Sequence, residues 1–234
     1  MARTLKLGSI LLNGKYAKPG TTYQPDQAIS FGEGNSIRWV VVNGLLIADR
    51  PLLINISWDD LDKQDFVFGK PVTIGRQKFK CRLLKIGSAD GVPNEWNHIL
   101  NVVGEDNSLW HWDGVCSWGQ ECPTLSERAY CGYHSAREWY CGSSFLRHTH
   151  LGFRPVLEPL PSDNLASGDR VCAICGQSVL SGKLLELTDY DAVVKPEDGF
   201  KPVKADIGKI YTKLKDGTFV IDRTQMTVQS VKGM

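Results

Sequence analysis

The sequence lacks any apolar run long enough to cross a bilayer as a helix. The strongest, Trp39-Val40-Val41-Val42, stops at Asn43-Gly44, whereas a spanning helix needs about 20 apolar residues. The opening Met1-Ala2-Arg3-Thr4-Leu5-Lys6 has neither the apolar core nor the cleavage pattern of a secretory signal. Cytoplasmic synthesis and no membrane partner are therefore expected. An excess of charge is missing as well. The 27 Lys and Arg residues face 26 Asp and Glu, for a formal net charge of +1, so nucleic acid is not expected as a partner.

Several chemical signatures are incomplete. Gly32-Glu33-Gly34-Asn35 is not followed by the Lys or Ser of a phosphate loop. Asp59, Asp60, Asp62 and Asp65 lack the glycine and glutamate of a calcium loop and read as a solvated helical face. Cys172-Ala173-Ile174-Cys175 has metal-knuckle spacing, but no second pair follows to complete four zinc ligands. His134, His148 and His150 with Cys131 carry no further mark of a metal site. The odd count of seven cysteines, without an export signal, reads as thiols. No catalytic residue, metal or cofactor is expected.

Tryptophan, in contrast, is abundant. Six of the seven lie between Trp58 and Trp139, and such rings suit folds whose long loops build their own core. Leu5–Lys15 reads as a strand ending in an Asn13-Gly14 turn. Residues 36–42 and 44–48 read as a hairpin around Asn43-Gly44. Ser57 caps an expected short helix with Asp59 and Asp60 in its first turn. Residues 75–84 alternate basic and apolar side chains, as a half-exposed strand does, and 94–103 fit a helix. The stretch 104–152 has few periodic runs. It must be ordered by its own tryptophans, or carry function, or both.

Pro159-Leu160-Pro161-Ser162-Asp163-Asn164 reads as a linker. Beyond it, five short segments (170–175, 182–187, 192–195, 207–211 and 218–221) and an Asp216-Gly217 turn predict a small SH3-like or Sm-like β-barrel.

The pieces Ile37-Arg38-Trp39-Val40-Val41, Asn94-Glu95-Trp96, Trp118-Gly119-Gln120, Ser135-Ala136-Arg137 and Leu151-Gly152-Phe153-Arg154-Pro155-Val156 follow in order. This order resembles the C-type-lectin-like domain of formylglycine-generating-enzyme relatives over residues 5–160, and the resemblance implies an α+β fold. Two subfamilies share that fold. One is a copper-dependent oxidase that converts a substrate cysteine to formylglycine, using two cysteines five positions apart before the Ala-Arg element. Here Cys131 stands near the second position, but Ser126 stands five before it. Copper(I) prefers soft thiolates, so one of two ligands is missing and an enzyme is not expected. The other subfamily comprises the variable proteins of diversity-generating retroelements, often carried by phages and prophages. Their side chains before Gly-Phe-Arg are diversified on a fixed backbone. The chain is more similar to these, which implies a phage- or prophage-borne, virion-associated binding protein.

The segment 130–150 fits that reading. Retroelement mutagenesis of asparagine codons cannot yield Lys, Met, Gln, Glu or Trp, and residues 140–150 contain none of them. Independently, Tyr, Ser and Gly are the residues of antibody-like paratopes, because tyrosine gives rigid amphipathic contact at low entropy cost. Tyr130, Tyr133, His134, Tyr140, Phe145, Leu146, His148 and His150 are the candidate ligand contacts. Arg137 and Arg154, with Trp96, Trp110, Trp112 and Trp118, are expected to be scaffold.

The expectation is thus an α+β, C-type-lectin-like ligand-binding domain over 1–160 and a β-barrel accessory domain over 165–234. The first takes a protein or small-molecule ligand at its variable surface, and the second mediates self-assembly or attachment. A fixed-specificity binder of a small molecule or host protein, and an altered formylglycine-generating-type oxidase, are the alternatives.

Overall fold

The unbroken run Trp39–Val42 lies in a sheet covered on both faces, where a strand need not alternate apolar with polar residues. Trp39 and Val41 point into one core with Leu46 and Ala48. Val40 and Val42 point into a second with Ile47. The computed structural model describes residues 2–231 except 76 and 163, and the side chains there except those of Cys175 and Ala205. The central sheet runs in the order Arg3–Lys6, Arg38–Val42, Leu45–Ala48, Val156–Pro159, Gln77–Arg82, Lys70–Ile74, each neighbour antiparallel. Asn43 and Gly44, with φ of 51° and 73°, make the tight turn their sequence predicts. The strand predicted over Leu5–Lys15 is split at Gly8, φ 70°. Arg3–Lys6 stays in the central sheet, while Ser9–Leu12 pairs with Lys15–Ala17 and Ile29–Gly32 in a three-stranded sheet.

Ser57 caps Trp58–Asp62 through a reciprocal pair of hydrogen bonds with Asp60, and Asn94 caps Glu95–Val103. Trp96, Ile99 and Leu100 fill the second core. Arg82, 1% exposed, ties this helix to the central sheet by pairing with both Glu95 and Glu158.

The stretch 104–152 contributes a short helix, Asn107–Trp110, and four strands to a second six-stranded sheet. Its order is Trp139–Ser143, Glu127–Gly132, Cys116–Trp118, Leu151–Phe153, Leu53–Ile54, Thr21–Thr22. All seven indole N–H groups donate to main-chain carbonyls at 2.7–3.1 Å: Trp39 to Leu7, Trp58 to Gly119, Trp96 to Ala136, Trp110 to Gly104, Trp112 to Glu105, Trp118 to Ile56 and Trp139 to Gly87. The rings supply apolar mass, and their N–H groups satisfy loop carbonyls that lack a regular ladder partner.

Strand accounts for 44% of the chain and helix for 9%, so the fold is mostly β and sandwich-like. This corrects the α+β, C-type-lectin-like expectation. The expected helices exist but are short. The additional strands in 104–152 span three to six residues, too short for a period of two to stand out among Gly, Ser and Trp.

The C-terminal part is not the expected closed SH3-like or Sm-like barrel either. Its strands form one antiparallel sheet in the order Tyr211–Lys213, Phe219–Asp222, Asp191–Pro196, Ser178–Leu187, Arg170–Cys175, Thr227–Ser230. Among the described residues its two edge strands do not pair with each other. One face buries its own core of Val171, Ala173, Leu184, Val194, Phe219 and Ile221. On the other, Cys172 and Ile174 enter the first core of the N-terminal part, and Gln229 donates to the carbonyls of Lys78 and Leu160. An edge and a face covered in this way remove the need for closure. No helix among the described residues is long and apolar enough to cross a membrane.

Candidate functional site

Trp118, Tyr130 and Tyr140 stand in register across three neighbouring strands, so the pleat aims their rings at one face of the sheet. Tyr130 stacks on Tyr140, with ring centroids 5.4 Å apart and planes 18° from parallel, and meets Trp118 edge-on at 5.3 Å. Cys116 shares that face. Cys131 and Trp139, one residue out of phase, point into the second core instead. Trp118 is fully buried and the two tyrosines half-buried, so the stack lies at the floor of an open cleft of about 320 Å³. Tyr133 and His134 reach it from the turn after Gly132. Leu146, His148 and His150 reach it from the loop before Leu151, and Cys116 and Leu151 complete the lining.

The rim is held by its backbone. Tyr133 sits at φ 83°, a conformation that costs energy for a residue with a Cβ. Its N–H donates to the carbonyls of Trp112 and Val115 at 3.0 and 3.2 Å, and its carbonyl accepts from Gly114 at 2.9 Å. Its ring meets His134 at 4.7 Å and His150 at 5.6 Å, both edge-on. The His150 N–H donates to His148 Nδ1 at 3.2 Å.

The loop carrying His148 and His150 is tied down at its main chain. The Asp59 N–H donates to the Ser144 carbonyl at 3.1 Å, Asn55 to His148 at 3.1 Å, and Cys116 to His150 at 2.6 Å. One side chain adds to this: Arg147 grips Asp60, which is only 5% exposed. Burial pushes the Asp60 carboxyl up, but hydrogen bonds from Arg147 and Ser57 outweigh it and hold the group below the usual carboxylate value.

Burial, then the nearby Glu138 carboxylate, pushes the Tyr140 hydroxyl above its ordinary value, and burial does the same to Tyr130. The Cys116 thiol is pushed up to about 12, by burial first and Glu138 second. At neutral pH the floor therefore presents hydroxyls and a thiol in their neutral forms. This chemistry suits stacking and hydrogen bonding better than nucleophilic attack.

Seven of the eight candidate contacts line this one cleft. Phe145 does not: it is 70% exposed and absent from the lining, because the chain leaves the sheet at Ser143 and turns Leu146 inward instead. Composition had no means of finding Cys116 or Leu151. Their only signal was alternation with Trp118 and Phe153, visible once those segments are known to be strands. The Arg147–Asp60 pair, 87 residues apart in sequence, left no local signal.

Among the described residues no three His, Cys, Asp or Glu side chains gather as a metal site. Cys172 is buried in the first core, and the Cys175 side chain of the candidate knuckle lies outside the described residues. Arg154 is 2% exposed and donates to Ser117 Oγ at 2.9 Å and to the Asp49 carbonyl at 2.9 Å. Arg137 pairs with Glu105 at 2.6 Å and donates to Asn101 at 2.9 Å. No protein-family model, curated protein or solved structure matches the chain.

Proposed function

We propose that the chain is a non-enzymatic binding protein whose tyrosine- and histidine-lined cleft captures a protein or small-molecule ligand. One observation carries this reading: most of what holds the backbone of the lining loop comes from groups other than the lining side chains. The loop is anchored by main-chain hydrogen bonds and by Arg147 on Asp60, so Tyr140 or His150 can change without removing an anchor, and His148 gives up only the bond its Nδ1 accepts from the His150 N–H. A surface diversified on a fixed backbone has that requirement. The resemblance of Gly152-Phe153-Arg154 and the pieces before it to retroelement variable proteins supports the same reading, and with it a phage or prophage source and a place on a virion. Self-assembly or attachment is assigned to the C-terminal sheet.

Sequencing this gene across a population of its source tests the diversified reading. Substitutions should concentrate at codons 130, 133, 134, 140, 146, 148 and 150 and spare Arg147 and Gly152. A Cβ on Gly152 would collide with the Leu53 carbonyl oxygen. A gene with evenly scattered substitutions would reject diversification.

A second reading, a fixed-specificity small-molecule binder, is favoured by the cleft volume of about 320 Å³, which falls in the range of roughly 300–1,000 Å³ typical of small-ligand pockets. Saturable thermal stabilisation by a single metabolite, abolished by Tyr140→Ala, would select it. The oxidase alternative gains no support, since Cys116 and Cys131 point to opposite faces of their sheet.

A further inference from the structure

Arg38 stands directly opposite Lys6 in the antiparallel register of the central sheet. Like charges so placed destabilise a strand pair. Neither side chain has a hydrogen bond or ion pair among the described residues, although Arg38 is half-buried. The acid that would relieve them is next to them. Asp49 is 2% exposed and its N–H donates to the Arg38 carbonyl at 3.0 Å. Its carboxylate is engaged by Arg50 through both oxygens, at 3.1 and 3.0 Å. Arg50 is braced further by His111 Nε2 at 2.7 Å. Tyr16 and Lys18, from the small sheet and the turn after it, close a cleft of about 430 Å³ with Lys6, Arg38 and Arg50.

Four cationic side chains therefore face a single carboxylate that is already taken. In a chain of net charge +1, this is a local concentration of positive charge and not part of a broadly basic surface. We infer that this cleft binds a small phosphate- or sulfate-bearing molecule. Its tetrahedral anion lies between Arg38 and Lys6, with Arg50 and Lys18 adding charge. A guanidinium fork matches two oxygens of such a group, and a lysine serves it as a point charge. The cleft has room for more than the anion alone, and the Tyr16 ring, 57% exposed, offers an apolar face to the organic remainder. No lining residue is shared with the tyrosine–histidine cleft, so the two sites are distinct.

The test is calorimetry and thermal melting of the full chain with inorganic phosphate, sulfate, pyrophosphate and phenyl phosphate, each against sodium chloride at equal ionic strength. Saturable binding is expected, and the relative affinities of the phosphate and sulfate arms name the source of the anion. Arg38→Gln and Lys6→Gln should each weaken binding tenfold or more. Each should also raise the melting temperature of the unliganded protein, because an unrelieved repulsion is removed. Stabilisation no greater than that of chloride would overturn the site. So would unchanged affinity in both variants, a lower unliganded melting temperature in both, or binding confined to long polyanions such as heparin.

Discussion

Arg147 donates two hydrogen bonds of 2.8 Å to the two carboxylate oxygens of Asp60 and thereby fastens the cleft loop to the cap of the Trp58–Asp62 helix. Asp60 is nearly buried while Arg147 keeps about a third of its side-chain exposure. Removing the arginine leaves a buried carboxylate with Ser57 as its remaining partner. Arg147→Ala should therefore cost about 1–3 kcal/mol, the range for leaving a buried acceptor short of its partner. Hydrogen exchange should rise at the amides of 144–150 before it rises in the sheets. Unchanged exchange there would show that main-chain bonds alone hold the loop.

The same pair sets a pH dependence. The folded-state pKa of Asp60 is depressed, so its contribution is fully present above the ordinary carboxylate value of about 3.9. It is lost as the pH falls through the lower folded value. Asp60→Asn should accordingly be less stable than the parent at pH 6, and the gap in urea midpoint should narrow as the pH falls below the ordinary carboxylate value. A gap that does not narrow in acid would remove the carboxylate from the account.

Trp118 and Tyr140 touch the same Tyr130 ring stack and should nonetheless behave differently. Trp118 is fully buried and bonded to the Ile56 carbonyl at 2.8 Å, so Trp118→Ala should cost roughly 3–5 kcal/mol and unfold most of the protein. Tyr140 is half-exposed and contributes chiefly its stack, so Tyr140→Ala should cost about 1 kcal/mol while removing ligand binding. Equal losses in chemical denaturation would undo the division between scaffold and contact.

What could be read in the sequence was what is encoded locally. Asn43-Gly44, the Ser57 cap and the Asn94–Val103 helix follow from residues adjacent in the chain, and all three are present. Tyr130, Tyr140, His148 and His150 could be singled out by side-chain chemistry. The register that stacks the two tyrosines could not, because it depends on strands of three to six residues, too short for their alternation to fix which residues pair. Gly8 illustrates the same limit. It reads as one residue inside a strand, yet a positive φ there sends the chain into a second sheet. The C-terminal strands were visible in outline, but whether they closed depended on the surface that Cys172 and Ile174 meet.

Gly152, in the Gly-Phe-Arg segment, is required by a close approach. Its strand lies between Cys116–Trp118, on the cleft side, and Leu53–Ile54. A Cβ at this position would collide with the Leu53 carbonyl oxygen and press on Pro51 and Ile54. Main-chain atoms and a proline cannot swing aside as a flexible side chain would, so relief must come from separating the strands. Gly152→Ala should therefore destabilise the protein by about 1–3 kcal/mol, the usual cost of overpacking. Because Leu151 and Cys116 line the cleft next to the displaced strand, ligand affinity should fall even where the protein remains folded. Gly91→Ala makes the contrast: nothing lies within 4 Å of a Cβ there but φ is 74°, so it carries backbone strain without a collision, whereas Gly152 has no positive φ and carries a collision without that strain. If Gly152→Ala kept both the stability and the affinity of the parent, the proximity of Leu53 would be incidental.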